Sequence, residues 1–372
     1  MVDMHDIVYI LLFVFVAVSA FVSSLCQDKA LKFILFSAST FFMSAIIAFR
    51  WEIGTDWNSY YEYFVGIKNG SGSSYDNHFD IGFYLLNFVI ANINGNYTIF
   101  LIVTTVLSTV LVNYIIYKKS NNPHLGQLIF LGNYLPIHFM GSIRRSIAIT
   151  FVFLFLIYSI QYKNKIKSYI IMMFAFAQHK TSIIGITKLI VPKKRFSVKV
   201  IIALIGAAYF INYIGLIDLI LEKLLMITVG GPDIGLVKTI ANYSGENYKL
   251  YSPENVNPQM QSLLSMIKKI IYLFFFTRGL ARNSNSLDDI SLNIYVIGIM
   301  IYTLFIGAMV IQVLSVYFLF MEVLLASRVY SKLRLYEKRV FLIYILVISY
   351  ASYDSNLSVF PELFSPYRSV LF

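Results

Sequence analysis

FLIVTTVLSTVLVNYII, residues 100–116, runs without a single charged side chain. As a helix it rises roughly 25 Å at ~1.5 Å per residue, most of the way through a hydrocarbon core about 30 Å thick. A strand of a transmembrane barrel would alternate apolar and polar residues over about ten positions, and this run keeps no such alternation. The stretch reads as a membrane helix, and the rest of the chain repeats its character. Of 372 residues, 58% are hydrophobic and 13% charged, a balance that an ordinary water-soluble globule does not carry.

Further apolar runs lie at 7–25, 31–49, 97–117, 125–141, 146–162, 199–221, 259–277, 291–311, 313–327 and 340–353, with shorter pieces at 81–93, 168–178 and 182–191. They predict an all-α polytopic integral membrane protein, one domain over 1–372, with about 10–13 membrane helices when short re-entrant or broken segments are counted. The single cysteine, Cys26, excludes an intramolecular disulfide and a cysteine-built zinc site. Leu25 stands where lipid attachment at Cys26 would need a small residue, so 7–25 reads as a retained helix.

The net charge of +11 is carried by short basic clusters between the apolar runs, which suits a topogenic role; the bilayer, and no nucleic acid, is the expected partner. The clusters are Lys29/Lys32, Lys118/Lys119, Lys163/Lys165/Lys167, Lys193/Lys194/Arg195, Arg278/Arg282 and 328–339. One assignment puts all of them in the cytoplasm. It leaves 50–80, the corner 142–145, the turn at His179, the loop 230–258 and the C-terminus outside, while 81–93 dips without crossing. The loop 230–258, with Gly230, Pro232, Tyr243 and Tyr251, reads as an ordered polar lid.

Two stretches break the pattern. Residues 168–192 provide about one crossing between basic clusters that both demand the cytoplasm, so a broken hairpin with Gln178, His179 and Lys180 at its tip is expected. Lys268 and Lys269 fall near the middle of run 259–277, where charges usually face a cavity or an anionic partner. Asp288 and Asp289 read as a solvated turn.

The window FRWEIGTDWNSYYEYF, residues 49–64, leaves a helix at Arg50 and reaches Asp56 six residues later. Gly54 permits a tight turn, so the guanidinium and the carboxylate are expected to face one pocket. Arg50 as a helix-end anchor is the plainer alternative. Trp57 and Tyr60 suit sugar stacking or an interfacial aromatic belt. In GSIRRSIAI, residues 141–149, Arg144 and Arg145 stand at an outer junction, against the positive-inside bias. Their planar forks match phosphate oxygens of a lipid diphosphate, or anionic headgroups. His179 in AQHKTSI is a general acid or base, or a structural histidine at a helix break. A G-x-x-x-x-G-K-[ST] loop, an H-E-x-x-H pair and a cytoplasmic domain that could hold a nucleotide sugar are all lacking, which disfavours an ATP-driven or nucleotide-sugar enzyme. No cofactor and no metal is expected.

These residues resemble the EpsG family of polytopic bacterial proteins, grouped with Wzy-type O-antigen and exopolysaccharide polymerases. The resemblance rests on R-x-x-x-G-x-D-x-x-x-Y from Arg50 to Tyr60, the start of DIGFYLLN at Asp80, SIRRSIA, AQHKTSI and the terminal SPYRSV, in order along most of the chain. It implies glycosyl transfer from an undecaprenyl-diphosphate-linked oligosaccharide to a lipid-linked repeat unit, on the outer side of the bacterial inner membrane, alongside a flippase and a chain-length regulator. Carried over by position, Arg50, Asp56 and His179 are the catalytic candidates. Arg144, Arg145, Asp80, Tyr60 and Trp57 are the substrate-binding candidates. The chain departs from the family pattern at Asp80, where glutamate is commoner, at Arg145, where glutamine is commoner, and ahead of VLSVYF, 313–318, where a basic residue is usual and Gln312 stands nearby. Lys268 is the candidate replacement for that charge. A flippase or transporter of lipid-linked glycan and a membrane acyltransferase are the rival functions; a transporter would show matching broken helices in two halves, and one broken pair is visible.

Overall fold

A computed structural model describes residues 7–70, 79–93, 95–162, 164–217, 219–220, 223, 258–306 and 308–371. Among them the secondary structure is helical throughout, apart from a single bridge between Arg50 and Ser369. The helices are α1 Ile7–Leu25, α2 Lys29–Ala48, α3 Trp57–Lys68, α4 Ile81–Asn92, α5 Tyr97–Lys119, α6 Pro123–Asn133, α7 Ile143–Gln161, α8 Lys165–Gln178, α9 Val198–Tyr213, α10 Pro258–Arg282, α11 Ser286–Leu304, α12 Val313–Tyr330, α13 Leu335–Ser358 and the one-turn α14 Pro361–Phe364. Seven of them, α1, α2, α5, α7, α11, α12 and α13, are long and apolar enough to cross a membrane. The protein is an all-α, multi-pass membrane protein. At 12 residues, α4 rises only about 18 Å, too little for a full crossing. The proposed lid 230–258 lies outside the described residues but for its last position, and so do residues 71–78 of the stretch 50–80.

Helix starts follow capping chemistry. Asp28 accepts from the N–H groups of Ala30 and Leu31, Asn96 from Ile99, Asn164 from Lys167 and Ser197 from Val200. Asn285 caps α11, which starts at Ser286, five residues before its apolar run begins. Asp288 and Asp289 therefore sit in a first helical turn, where carboxylates complement the helix dipole, and not in a solvated turn. Asp288 is buried, and Asp289 lies 3.9 Å from Arg195.

Contacts divide the chain into two compact units, Met1–Ile186 with Val323–Phe372, and Thr187–Glu322. In the first, α6 is the hub: α1 and α13 both pack on it, and α2 joins it through buried polar groups. Gln127 donates to Phe36 O (3.1 Å), to Thr40 Oγ1 (2.9 Å) and to Asn113 Oδ1 (3.0 Å), tying α6 to α2 and α5. Interhelical hydrogen bonds of this kind hold membrane helices together where the hydrophobic effect does not. In the second unit α11 is central, packed against α9, α10 and residues 313–319. There Gly298 meets α12 so closely that a Cβ would stand 2.9 Å from Leu319 N.

The expected break at His179 is present. α8 ends at Gln178, His179 is extended (φ −156°, ψ 114°), and a 3₁₀ segment, Lys180–Ile190, follows. The chain turns back on itself there, since a Cβ on Gly185 would lie 3.4 Å from the Met172 side chain and 3.0 Å from Val152.

Candidate active site

The turn that carries Asp56 is built from both ends of the chain. Trp51 N–H donates to Arg368 O (3.0 Å), Val370 N–H to Phe49 O (3.0 Å) and Gly54 N–H to Leu363 O (2.9 Å). The SPYRSV motif is thus the structural partner of the Arg50 window. Gly54 has φ +113°, and a Cβ there would stand 2.4 Å from Met140 O, so the position demands glycine twice over. The close approach lets Asp56 N–H and Thr55 Oγ1 both donate to Gly141 O at 3.2 Å. Asp56 is thereby fixed beside the start of α7.

Arg50 makes no hydrogen bond or ion pair to Asp56 among the described residues. Its guanidinium is 1% exposed and donates from Nε to Ile53 O (3.1 Å) and from Nη1 to Ile47 O (2.5 Å). The helix before it has run out of hydrogen-bond partners at its C-terminal carbonyls, and the fork is consumed in satisfying one of these and closing the turn. Arg50 is a structural clamp.

Trp57 likewise faces inward. It is 4% exposed, stacks on Tyr61 (4.9 Å, 15°) and meets Trp51 and Tyr97 edge-on. Aromatic area of this size is worth more in a core than on a wet rim, and no face of Trp57 is left for a sugar. The ring of Tyr60 is buried too, against Phe79 and Phe83, and only its hydroxyl reaches polar company.

That hydroxyl links the site. It donates to Asp56 Oδ2 (3.0 Å), lies 3.1 Å from Ser142 Oγ and accepts from Arg144 Nε at a long 3.5 Å. Burial, and then the neighbouring Asp56 carboxylate, push the phenol above its ordinary pKa, so Tyr60 stays protonated and donates. Ser142 holds the N-cap position of α7 but makes no side-chain cap there. Its hydroxyl faces Tyr60 instead.

Asp80 is the centre of charge. Its Oδ2 lies 3.2 Å from Arg144 Nη1 and 3.5 Å from His179 Nδ1, and its Oδ1 lies 3.8 Å from Lys180 Nζ. Gly82 explains how α4 delivers it. A Cβ at Gly82 would stand 2.8 Å from the carbonyl of Ala177, so only glycine lets α4 press against the end of α8 and set Asp80 beside His179. Phe79 covers the other side, with the Arg144 guanidinium 4.5 Å from its ring centre. Arg145 is half-buried and makes no hydrogen bond or ion pair among the described residues.

The first unit thus brings Asp56, Tyr60, Asp80, Arg144 and His179 into one chain of contacts, with Arg145 adjacent in sequence. Lys268 belongs to the second unit, where its neighbour Lys269 is the more buried, bonded to Ser265 and 3.6 Å above the Tyr302 ring. Sequence patterns missed Ser142, which reads as an ordinary cap, and Phe79, which reads as one more aromatic. Lys180 was legible beside His179 at the hairpin tip.

A buried carboxylate flanked by an arginine, a histidine and a lysine thus stands where α4, the start of α7 and the end of α8 meet. The family match gives the class, a Wzy-like polymerase family and so a glycosyltransferase in the coarse sense. More narrowly, it belongs to the EpsG family, whose model matches residues 33–369. No curated protein and no solved structure matches the chain.

Proposed function

We propose that the protein polymerises a surface polysaccharide by transferring a glycan from its undecaprenyl-diphosphate carrier to a lipid-linked repeat unit, on the outer face of the bacterial inner membrane. The observation that carries this reading is the Asp80 cluster, where Arg144, His179 and Lys180 converge on one carboxylate. In the reaction the bond between the donor's anomeric carbon and its phosphate oxygen breaks as the acceptor hydroxyl oxygen bonds to that carbon. Arg144, Arg145 and Lys180 take the charge that develops on the departing diphosphate. His179, whose Nδ1 lies 3.5 Å from Asp80 Oδ2, accepts the hydroxyl proton at Nε2, with the carboxylate beside it to steady the imidazolium that forms. Tyr60 keeps Asp56 and Arg144 in register.

The outward orientation is supported by the basic clusters, which one topology keeps together in the cytoplasm. Cysteine labelling in a Cys26→Ser background tests it: Gly70→Cys is expected to react with an impermeant thiol reagent from outside, and Asn121→Cys only after permeabilisation. Disruption of the gene, followed by glycan analysis, tests the activity. Single repeat units are expected on the lipid carrier, and persistence of full-length polymer would sink the proposal.

A further inference from the structure

The polymerase reading leaves one cavity of the first unit without a task. Its volume is about 530 Å³, and it opens where α1 and α13 both pack chiefly on α6. Tyr9 and Phe13 line it from α1, Tyr350, Tyr353 and Asp354 from the last two turns of α13, and Phe364 from α14. The spacing of 350, 353 and 354 puts all three on one helix face. Size and mixed lining fall within the range of small-ligand sites.

Three features describe the ligand. Tyr350 is 52% exposed, so its ring offers an open face beside Phe13, which meets it edge-on at 5.3 Å. Tyr353 is 3% exposed, yet its hydroxyl is buried with no hydrogen-bond partner. A buried hydroxyl without a partner is costly, and a small turn of the ring that brings it to the cavity, where a ligand supplies the partner, removes the cost. Asp354 adds an exposed carboxylate on the same rim. A pyranose matches all three, with C–H faces to stack on a phenol ring and hydroxyls to donate to a carboxylate and a phenol oxygen.

The cavity wall is also continuous with the turn that bears Asp56. Tyr9 OH donates to Phe364 O (2.9 Å), and the preceding residue, Leu363, accepts from Gly54 N–H (2.9 Å). We propose that this cavity is a saccharide subsite holding one sugar of the growing glycan, with Tyr350 as its platform and Tyr353 and Asp354 as its hydrogen-bonding groups. The source of the sugar rests on the polymerase reading.

The test uses the full-length protein in nanodiscs and, as probe, the repeat-unit oligosaccharide released by mild acid from the host's own lipid carrier. Binding is read by saturation-transfer NMR titration. Tyr353→Phe and Asp354→Asn are each expected to weaken binding about tenfold, the worth of one good hydrogen bond, and Tyr350→Ala at least as much. Tyr353→Phe removes one oxygen that has no protein partner, so its melting temperature should stay at the wild-type value, and a loss of binding reports recognition and not misfolding. Wild-type affinity in both polar variants overturns the proposal, whether or not Tyr350→Ala binds more weakly, since an effect of Tyr350 alone means an apolar ligand. A wild-type protein that binds no oligosaccharide overturns it as well, while the disruption phenotype decides separately whether the polymerase reading stands.

Discussion

Arg144 donates from Nη1 to Oδ2 of Asp80 across 3.2 Å, joining residues 64 positions apart. The same carboxylate oxygen lies 3.5 Å from His179 Nδ1. One aspartate therefore stands against both the arginine proposed for the diphosphate and the histidine proposed for the acceptor proton. Its replacement should damage both functions together.

Asp80→Asn keeps the shape but removes the charge that pairs with Arg144 and steadies His179. Transfer in isolated membranes supplied with lipid-linked repeat units is expected to fall roughly a hundredfold or more. Protein abundance should stay near the wild-type level. Asp80→Glu, which keeps the charge, should recover a large part of the activity, and an Asn variant as active as the parent would remove Asp80 from the mechanism.

Gly82→Ala probes the approach that sets the cluster. The new methyl would meet backbone at 2.8 Å, which cannot swing away as a side chain can, so α4 must withdraw from the end of α8. A cost of about 1–3 kcal/mol is expected in thermal unfolding, with a disproportionate loss of transfer as Asp80 leaves His179. Activity that tracks stability alone would show that the exact placement of Asp80 is unimportant.

Two arginines at helix ends should respond differently to lysine. Arg50→Lys loses a fork that holds two carbonyls in a buried site, so about 1–3 kcal/mol of stability should go, seen as a lower melting temperature and less protein in the membrane. Arg144→Lys should keep the protein folded and abundant but leave single repeat units on the carrier, because a point charge cannot span diphosphate oxygens as a planar fork does. Equal melting temperatures for the two variants would contradict the clamp assigned to Arg50.

The proton acceptor is separated from its neighbour by amide substitutions. His179→Gln should abolish transfer while lipid-linked donor still binds. Asp56→Asn should retain partial activity, since its carboxylate is already engaged by the Tyr60 hydroxyl at 3.0 Å. The reverse pattern would transfer the base role to Asp56 and leave His179 as a structural residue at the hairpin break.

Membrane class, the positions of the long apolar helices and the broken segment at His179 were legible in the residue order, whereas α3 falls within 50–80, which read as an outer loop. A crossing is a property of contiguous residues: some 20 apolar positions must satisfy their backbone bonds within the segment, and a shortfall in length between two basic clusters forces a break. Candidate side chains were legible as well, because Arg, Asp and His at helix junctions are few in so apolar a chain. Their duties were not. Arg50 and Arg144 look alike in sequence, each at a helix end, and what divides them is whether carbonyls or a carboxylate stand within reach. That depends on Gly54 lying against Met140, on Gly82 lying against Ala177 and on residues 363–370 returning to pair with 49–54. Contacts of this range are chosen by how helices pack, since close backbone approach is permitted only where a Cβ is missing. The periodicity of any one segment carries no trace of which distant segment will fill the gap.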